Sequence, residues 1–141
     1  MATEKIFNQN GGVIDGTLTV YKTVIDFSDG GSTGDYSTRI VVPAGAIVTG
    51  GFISNKEDDL ASGGSATLRL KVGSTSFGAA AAGKADVKGT IVYQAPLEDI
   101  GTNDHVPAPV VTTEDTHVTL TIGTAALTAG TIEVGVIALV V

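Results

Sequence analysis

The sequence predicts an all-β protein, and three features of its 141 residues support this. Apolar and polar residues alternate in several short stretches, which is typical of strands with one buried face. Nineteen glycines, together with abundant threonine and valine, supply turns and strands. Crossover helices are missing between the predicted strands, which excludes a parallel βαβ architecture.

The first predicted strand covers residues 17–27. Leu18, Val20 and Val24 fall on one face of it and threonines on the other, as in a half-buried strand. We therefore expect Leu18, Val20 and Val24 to face the core. Residues 29–35, which are rich in glycine and aspartate, predict a loop after this strand.

A Pro-Ala-Gly interruption separates two aliphatic runs further along the chain. Pro43 cannot donate a ladder hydrogen bond, and Gly45 permits backbone angles that other residues avoid. These two residues predict a turn or a strand switch between two buried strands, residues 36–42 and 46–54.

Two later stretches, residues 66–73 and 116–123, alternate without error, so each predicts a strand with one core face and one wet face. Residues 86–93 end in a further β-forming run, and residues 130–136 alternate into an aliphatic end. We expect this last strand to lie inside a sheet or under a neighbour, because an exposed aliphatic edge invites aggregation.

Three segments lack this alternation and predict loops. Residues 55–65 are charged and then rich in glycine and serine. Residues 76–85 hold four consecutive alanines between glycines, which leaves room for barely one helical turn. Residues 95–108 form the longest irregular stretch, and long loops in compact domains are often functional.

About eight short strands joined by turns predict a β-sandwich, a jelly roll or a small barrel. A chain of this length can bury roughly two thirds of its unfolded surface and fold without staples. Residues 1–16 are polar and lack periodicity, so we predict an N-terminal arm there and a single β-sandwich domain over residues 17–141.

Charge and composition exclude several classes of protein. Fifteen acidic and eight scattered basic residues give a net charge of −7, which argues against nucleic-acid binding. The absence of cysteine excludes a disulfide framework and a thiolate nucleophile. The N-terminus lacks a signal-peptide pattern, and the longest apolar run, residues 134–141, is far shorter than the ~20 residues of a membrane span, so we expect no membrane partner.

Catalytic and metal-binding patterns are weak throughout. His105 lies in a predicted loop and His117 at an outward strand position, without metal-ligand spacing or a Ser/His/Asp order. We interpret both as solvated or capping residues. We predict no catalytic, cofactor-binding or metal-binding residues.

The acidic residues cluster in predicted loops. Residues 26–31, which contain Asp26 and Asp29, are a candidate calcium-binding loop, but they lack the full ligand pattern of an EF-hand. Solvated carboxylates are the favoured interpretation, and no pair can be placed across a cleft for glycoside hydrolysis. The clusters are Asp26, Asp29 and Asp35; Glu57, Asp58 and Asp59; Glu98, Asp99 and Asp104; and Glu114 and Asp115.

Paired glycines at four places do not match a phosphate-binding loop. We interpret them as turn or bulge glycines, and Gly50 and Gly51 predict a bulge because they interrupt a strand. The chain has three tyrosines, four phenylalanines and no tryptophan, and this scarcity of rings argues against a sugar-stacking surface.

Three motifs in order resemble small virion proteins of tailed phages. They are a Val-Pro-Ala-Gly-Ala strand within residues 40–49, a Thr-Leu-x-Leu-x-Val-Gly strand within residues 66–73, and Thr-Ala-Gly before the final strand within residues 127–136. The resemblance spans residues 36–136. It implies a jelly-roll β-sandwich that decorates or cements a capsid, commonly as a trimer, with no catalytic residues.

We therefore expect a non-enzymatic capsid decoration protein, made in the host cytoplasm and located on the outer capsid surface. Its expected partners are its own copies, as a homotrimer, and the major capsid protein, with no cofactor. The N-terminal arm would lie on the shell while the sandwich faces outward. The alternative is a glycan- or receptor-binding module of a tail fibre or cell surface that grips its ligand with residues 95–108.

Overall fold

Strands build the part of the chain that the computed structural model describes, residues 17–62, 66–78, 80–81, 89–101 and 104–140. They are β1 (Thr17–Asp26), β2 (Gly34–Val42), β3 (Ile47–Ser62), β4 (Thr67–Val72), β5 (Thr75–Ser76), β6 (Ala80–Ala81), β7 (Thr90–Gln94), β8 (Leu97–Gly101), β9 (Asp104–Pro107), β10 (Val110–Val111), β11 (Thr116–Gly123) and β12 (Leu127–Val140). The predicted arm, residues 1–16, lies outside the described residues, so its boundary stays a prediction.

Two antiparallel five-stranded sheets face each other. The first has the order β1-β12-β3-β10, with β7 also paired to β3, and the second has the order β2-β11-β4-β5, with β6 also paired to β4. Strands β1 to β4 alternate between the two sheets. Of the last two long strands, β12 lies between β1 and β3 in the first sheet and β11 lies between β2 and β4 in the second, which is the arrangement of a jelly roll. The predicted all-β jelly-roll sandwich is confirmed, with more strands than the eight or so that were expected.

The core lies between the sheets and follows the alternation of the strands. The second sheet buries Leu68, Leu70 and Val72 from β4 and Val118, Leu120 and Ile122 from β11. The first sheet buries Ile132, Val134 and Val136 from β12 and Val48 and Ile53 from β3. The prediction that the C-terminal strand lies inside a sheet is confirmed, since β12 pairs with β1 on one side and β3 on the other.

The Pro-Ala-Gly interruption carries the chain from the second sheet to the first. Gly45 has a φ of 82°, a left-handed conformation that glycine adopts without steric cost. The Thr112 hydroxyl donates to the Pro43 carbonyl at 2.6 Å and accepts from the Ala46 amide at 3.0 Å. The predicted strand switch is confirmed, but β2 is half-buried rather than buried, because Val41 faces outward.

Strand β3 is longer than expected, and the predicted loop over residues 55–65 is wrong up to Ser62. The backbone of this segment continues its ladder with β12, reaching Leu127 opposite Ser62. The pairing tolerates charged residues because a ladder needs only backbone groups. The predicted bulge is found here, since Ile137 pairs with Gly50 while the next residue, Ala138, pairs with Val48.

Two further predicted loops contain strands in the structure. Ala80 and Ala81 pair with β4 instead of forming a helical turn. Within residues 95–108, β8 and β9 form an antiparallel ribbon, so this stretch is more regular than its proline and glycine content predicts.

A buried glutamine joins the two sheets. Gln94, on β7 of the first sheet, accepts a hydrogen bond from the Leu70 amide at 2.9 Å and donates one to the Leu68 carbonyl at 2.9 Å. Its amide thus occupies the place of a strand neighbour for β4. This pair of bonds satisfies backbone groups that burial would otherwise leave without partners.

Candidate interaction surface

The two outward faces of the sandwich differ in chemistry. The second sheet presents polar and charged side chains, as an exposed sheet face usually does. They are Asp35, Ser37, Arg39, Thr67, Arg69, Lys71, His117, Thr119 and Thr121. The first sheet presents a set of apolar side chains that we call the apolar face: Leu18, Val20, Val24, Ile47, Phe52, Ile91, Tyr93, Val111, Ile137 and Leu139.

Strand register brings these side chains side by side. Leu18 pairs with Leu139, Leu139 with Ile47, and Ile47 with Val111, so one apolar row crosses the sheet. Directly paired residues of antiparallel strands point to the same face and lie within contact distance. The row therefore runs without a break from β1 to β10.

A second row contains the aromatic rings. Lys22 pairs with Gly135, Gly135 with Phe52, and Phe52 with Tyr93. A Cβ atom added to Gly135 would lie 2.5 Å from both Cε1 and Cζ of Phe52, so the Phe52 ring lies directly over this glycine. Tyr93, beside it, is 74% exposed.

Two charged groups at and just beyond the second row neutralise each other. Lys22 Nζ lies 3.8 Å from Glu133 Oε1, and the Glu133 side chain is the more buried of the two. Val24 pairs directly with Glu133 and extends the apolar surface beyond the ion pair. The apolar face therefore carries no net charge from these two residues, although the whole chain carries −7.

The orientation of β1 contradicts the sequence expectation. Leu18, Val20 and Val24 are 67%, 51% and 61% exposed instead of facing the core. Tyr21 and Ile25, on the threonine face of the strand, pack against the core instead. The presence of these two residues on the opposite face was the signal in the sequence, because it made both faces of the strand partly apolar.

A cavity of about 480 Å³ opens between the edges of the two sheets. Residues 23–27 of the β1 region and residues 36–39 of β2 form two of its walls. Asp26, Tyr36 and Arg39 are among its polar lining residues, and Leu120 and Ile122 are among its apolar ones. The Tyr36 hydroxyl donates to the Ser32 carbonyl at 2.6 Å, which holds the ring in place.

The histidines and carboxylates singled out in the sequence do not form a metal centre within the described residues. His117 is outward, as predicted, and its Nδ1 lies 3.1 Å from the Thr38 carbonyl oxygen. Asp26 accepts a hydrogen bond from the Ser28 amide at 2.8 Å, within its own turn. Asp35 accepts one from the Thr121 hydroxyl at 2.6 Å.

Other predicted candidates fall where the structure describes no side chains. They are His105, Glu57, Asp58, Glu98, Asp99 and Asp104, together with the glycine pairs at 11–12 and 63–64. The ligand-gripping role expected for residues 95–108 falls largely within this set. In the described part of the chain, no helix is long and apolar enough to cross a membrane.

The fold and the surface together define a jelly-roll sandwich with one apolar and one polar outward face. No family model matches the chain, and no curated protein matches it. Among solved structures, it is similar to a chain of the "Cyanophage Pam1 capsid asymmetric unit", with 21% identity and a TM-score of 0.45 over 97% of this chain and 94% of that one. This similarity is too small to show the function, so the function has to be inferred from the surface.

Proposed function

We propose that the protein is a non-enzymatic structural component of a phage virion, which decorates and stabilises the capsid as a homotrimer. The observation that carries the proposal is the apolar face. The largest continuous apolar patch on a soluble domain is often functional, and contact with another protein is one common use of it. A decoration protein needs such surfaces, because its activity consists of binding its own copies and the shell.

The motifs that resemble phage virion proteins support this proposal. The Val-Pro-Ala-Gly-Ala motif spans the switch from the second sheet to the first, and the Thr-Leu-x-Leu-x-Val-Gly motif forms β4 and the turn after it. The Thr-Ala-Gly motif lies near the start of β12, an inner strand of the first sheet. The resemblance therefore concerns the segments that organise the jelly roll.

The polar residues of the interior also suit a structural role. Gln94 and Thr112 are buried and hydrogen-bonded to backbone groups of neighbouring strands and turns. The Thr38 hydroxyl donates to the Val118 carbonyl at 2.6 Å. Gln94 joins the two sheets, Thr112 holds the turn between them, and Thr38 bonds two strands of the second sheet, so each of these side chains serves the fold.

Light scattering behind a sizing column tests the self-association part of the proposal. We expect the mass of a trimer over a range of protein concentrations. A monomer at every concentration would remove the trimer from the proposal. Co-sedimentation with undecorated capsid shells, which reports attachment separately, is the second arm of the test.

The N-terminal arm is assigned to attachment. Deletion of residues 1–12 should abolish co-sedimentation with shells and leave the unfolding transition of the sandwich unchanged. A deletion protein that still binds the shell would overturn this role for the arm. The full-length chain with Arg69→Ala, a change on the polar face, provides a control that should still bind.

The alternative function is a glycan- or receptor-binding module of a tail fibre or cell surface. The cavity between the sheet edges favours it, because a tyrosine and two charged residues line an opening of suitable size. A glycan array should then give hits that Arg39→Ala weakens. An array without hits would count against this alternative.

A further inference from the structure

We infer that the apolar face is the surface through which copies of this chain associate. Its occupant is a second copy of this chain, and not the capsid shell. The inference rests on the self-association part of the proposed function. It does not depend on capsid attachment.

The size of the apolar face is that of an interface core. From β1 to β7 there are three strand spacings of ~4.8 Å, and from Leu18 to Val24 the strand rises ~20 Å, which gives a footprint on the order of 300 Å². A standard interface buries roughly 800 Å² on each partner and surrounds an apolar core with a polar rim. The apolar face supplies such a core.

Its electrostatics favour a second copy over an oppositely charged partner. Copies that each carry −7 repel one another over most of their surfaces. At the apolar face, Lys22 and Glu133 neutralise each other, so two copies can approach there without desolvating excess charge. A partner selected for its positive charge would find nothing complementary among these side chains.

The edge strand of the first sheet, β1, also favours coverage by a second copy. The ladder between β1 and β12 runs from Thr17 to Asp26 without a register shift, and β1 contains no proline. Proteins usually blunt such a long, regular edge with a bulge, a proline or several charges. Lys22 and Asp26 are the only charged residues of β1, so a second copy seated on the apolar face would also shield this edge.

The second sheet offers a matched control position. Val41 is an outward valine on β2 and is 40% exposed, close to the 51% of Val20 on β1. Val41 pairs with His117 on the polar face, whereas Val20 pairs with Ile137 on the apolar face. The same substitution at the two valines therefore separates the effect of the face from the effect of the residue.

The test compares Val20→Lys with Val41→Lys by light scattering across a dilution series. We expect Val20→Lys to raise the concentration at which the oligomer half-dissociates by at least ~10-fold, because it places an unpaired charge in each buried contact. Val41→Lys should dissociate like the unmodified protein. Val20→Thr, which keeps the branched shape, serves as a milder variant if Val20→Lys does not fold.

A second readout uses the absence of cysteine from the chain. In Val20→Cys and Val41→Cys proteins, the introduced thiol is the only one. We expect alkylation of the thiol at position 20 to slow by at least ~10-fold as the protein concentration rises into the oligomer range. Alkylation at position 41 should stay constant, because that face remains in solvent.

The outcomes separate the inference from the proposed function. If the unmodified protein is an oligomer and Val20→Lys dissociates no more easily than Val41→Lys, the face assignment is overturned while self-association stands. If Val20→Lys keeps its mass but no longer sediments with shells, the occupant is the capsid protein, and the inference is also overturned. A monomeric unmodified protein overturns the inference together with the trimer, whatever the shell-binding arm shows.

Discussion

The Phe52 ring lies over Gly135 on the outward side of the first sheet, at a place where any Cβ would fall 2.5 Å from two ring atoms. Gly135 lies on β12 and Phe52 on β3, and the two residues are directly paired in the ladder. Because Gly135 has no side chain, the Phe52 ring can lie across β12. Phe52 thereby becomes part of the apolar face together with Tyr93.

Gly135→Ala should destabilise the fold by about 1–3 kcal/mol, the usual cost of overpacking a close contact. The new methyl group would meet the Phe52 ring and would also lie 3.0 Å from the Tyr21 carbonyl oxygen, which cannot move without disturbing β1. Urea unfolding at neutral pH measures the loss.

A double-mutant cycle identifies the cause of that loss. In a Phe52→Ala background, Gly135→Ala should cost clearly less, because the ring is gone and the carbonyl contact remains. Equal losses of stability in the two backgrounds would show that contact with the Phe52 ring is not the reason why position 135 requires glycine.

Gln94→Glu should make stability pH-dependent. The neutral carboxylic acid can still accept from the Leu70 amide and donate to the Leu68 carbonyl, whereas the ionised form loses its donor and buries a charge. The folded-state pKa of the introduced carboxyl should therefore lie above its unfolded value of ~4.3. The variant should approach the stability of the unmodified protein below that value and lose stability as pH rises through the folded pKa.

Paired unfolding curves from pH 3.5 to pH 8 would measure this difference, with Gln94→Leu as the control. Gln94→Leu leaves both backbone groups without partners and should cost ~1–3 kcal/mol per group at every pH. A Gln94→Glu protein whose deficit does not change with pH would contradict the role of this amide in joining the sheets.

Thr112→Val should destabilise the switch between the sheets by about 1–3 kcal/mol. Valine keeps the shape of threonine but cannot donate to Pro43 or accept from Ala46, and position 112 is buried. Thermal unfolding should show a lower midpoint for Thr112→Val and a smaller change for Thr112→Ser, which retains the hydroxyl. Equal midpoints for both variants would exclude the hydroxyl as the cause.

Salt should strengthen self-association. The net charge of −7 opposes the approach of copies, while Lys22 and Glu133 of the apolar face that we assign to the contact neutralise each other. Raising the ionic strength from about 0.01 M to about 0.15 M shortens the Debye length from ~30 Å to ~8 Å and screens this repulsion. Analytical ultracentrifugation should show tighter association at the higher salt concentration; weaker association would indicate that attractive ion pairs hold the oligomer.

Local sequence patterns predicted the elements whose two faces differ sharply. In β4 and β11, leucine, valine or isoleucine occupies every fully buried position, so alternation alone identified the buried face. Pro43 and Gly45 marked the strand switch because proline cannot donate a backbone hydrogen bond and glycine can adopt a positive φ, and both properties are intrinsic to the residue type. These predictions needed no knowledge of the partner strands.

Strand β3 shows where local patterns fail. Its charged segment predicts a loop, but the backbone of that segment pairs with β12 as far as Ser62. Strand pairing depends on the position of a neighbouring backbone in space, and the neighbour here comes from the other end of the sequence. The same holds for Ala80 and Ala81, which pair with β4.

By itself, the sequence determined an all-β chain with a strand switch at Pro43. Only the tertiary structure decided which side of β1 is buried, because Tyr21 and Ile25 compete with Leu18, Val20 and Val24 for the core. The ladder with β12 places Tyr21 opposite Val136 and Ile25 opposite Ile132, both of which face inward, and so turns the three aliphatic residues outward. The apolar face arises from this register. The alternation within one strand shows that its two faces differ, but the pairing with neighbouring strands decides which of the two faces is buried.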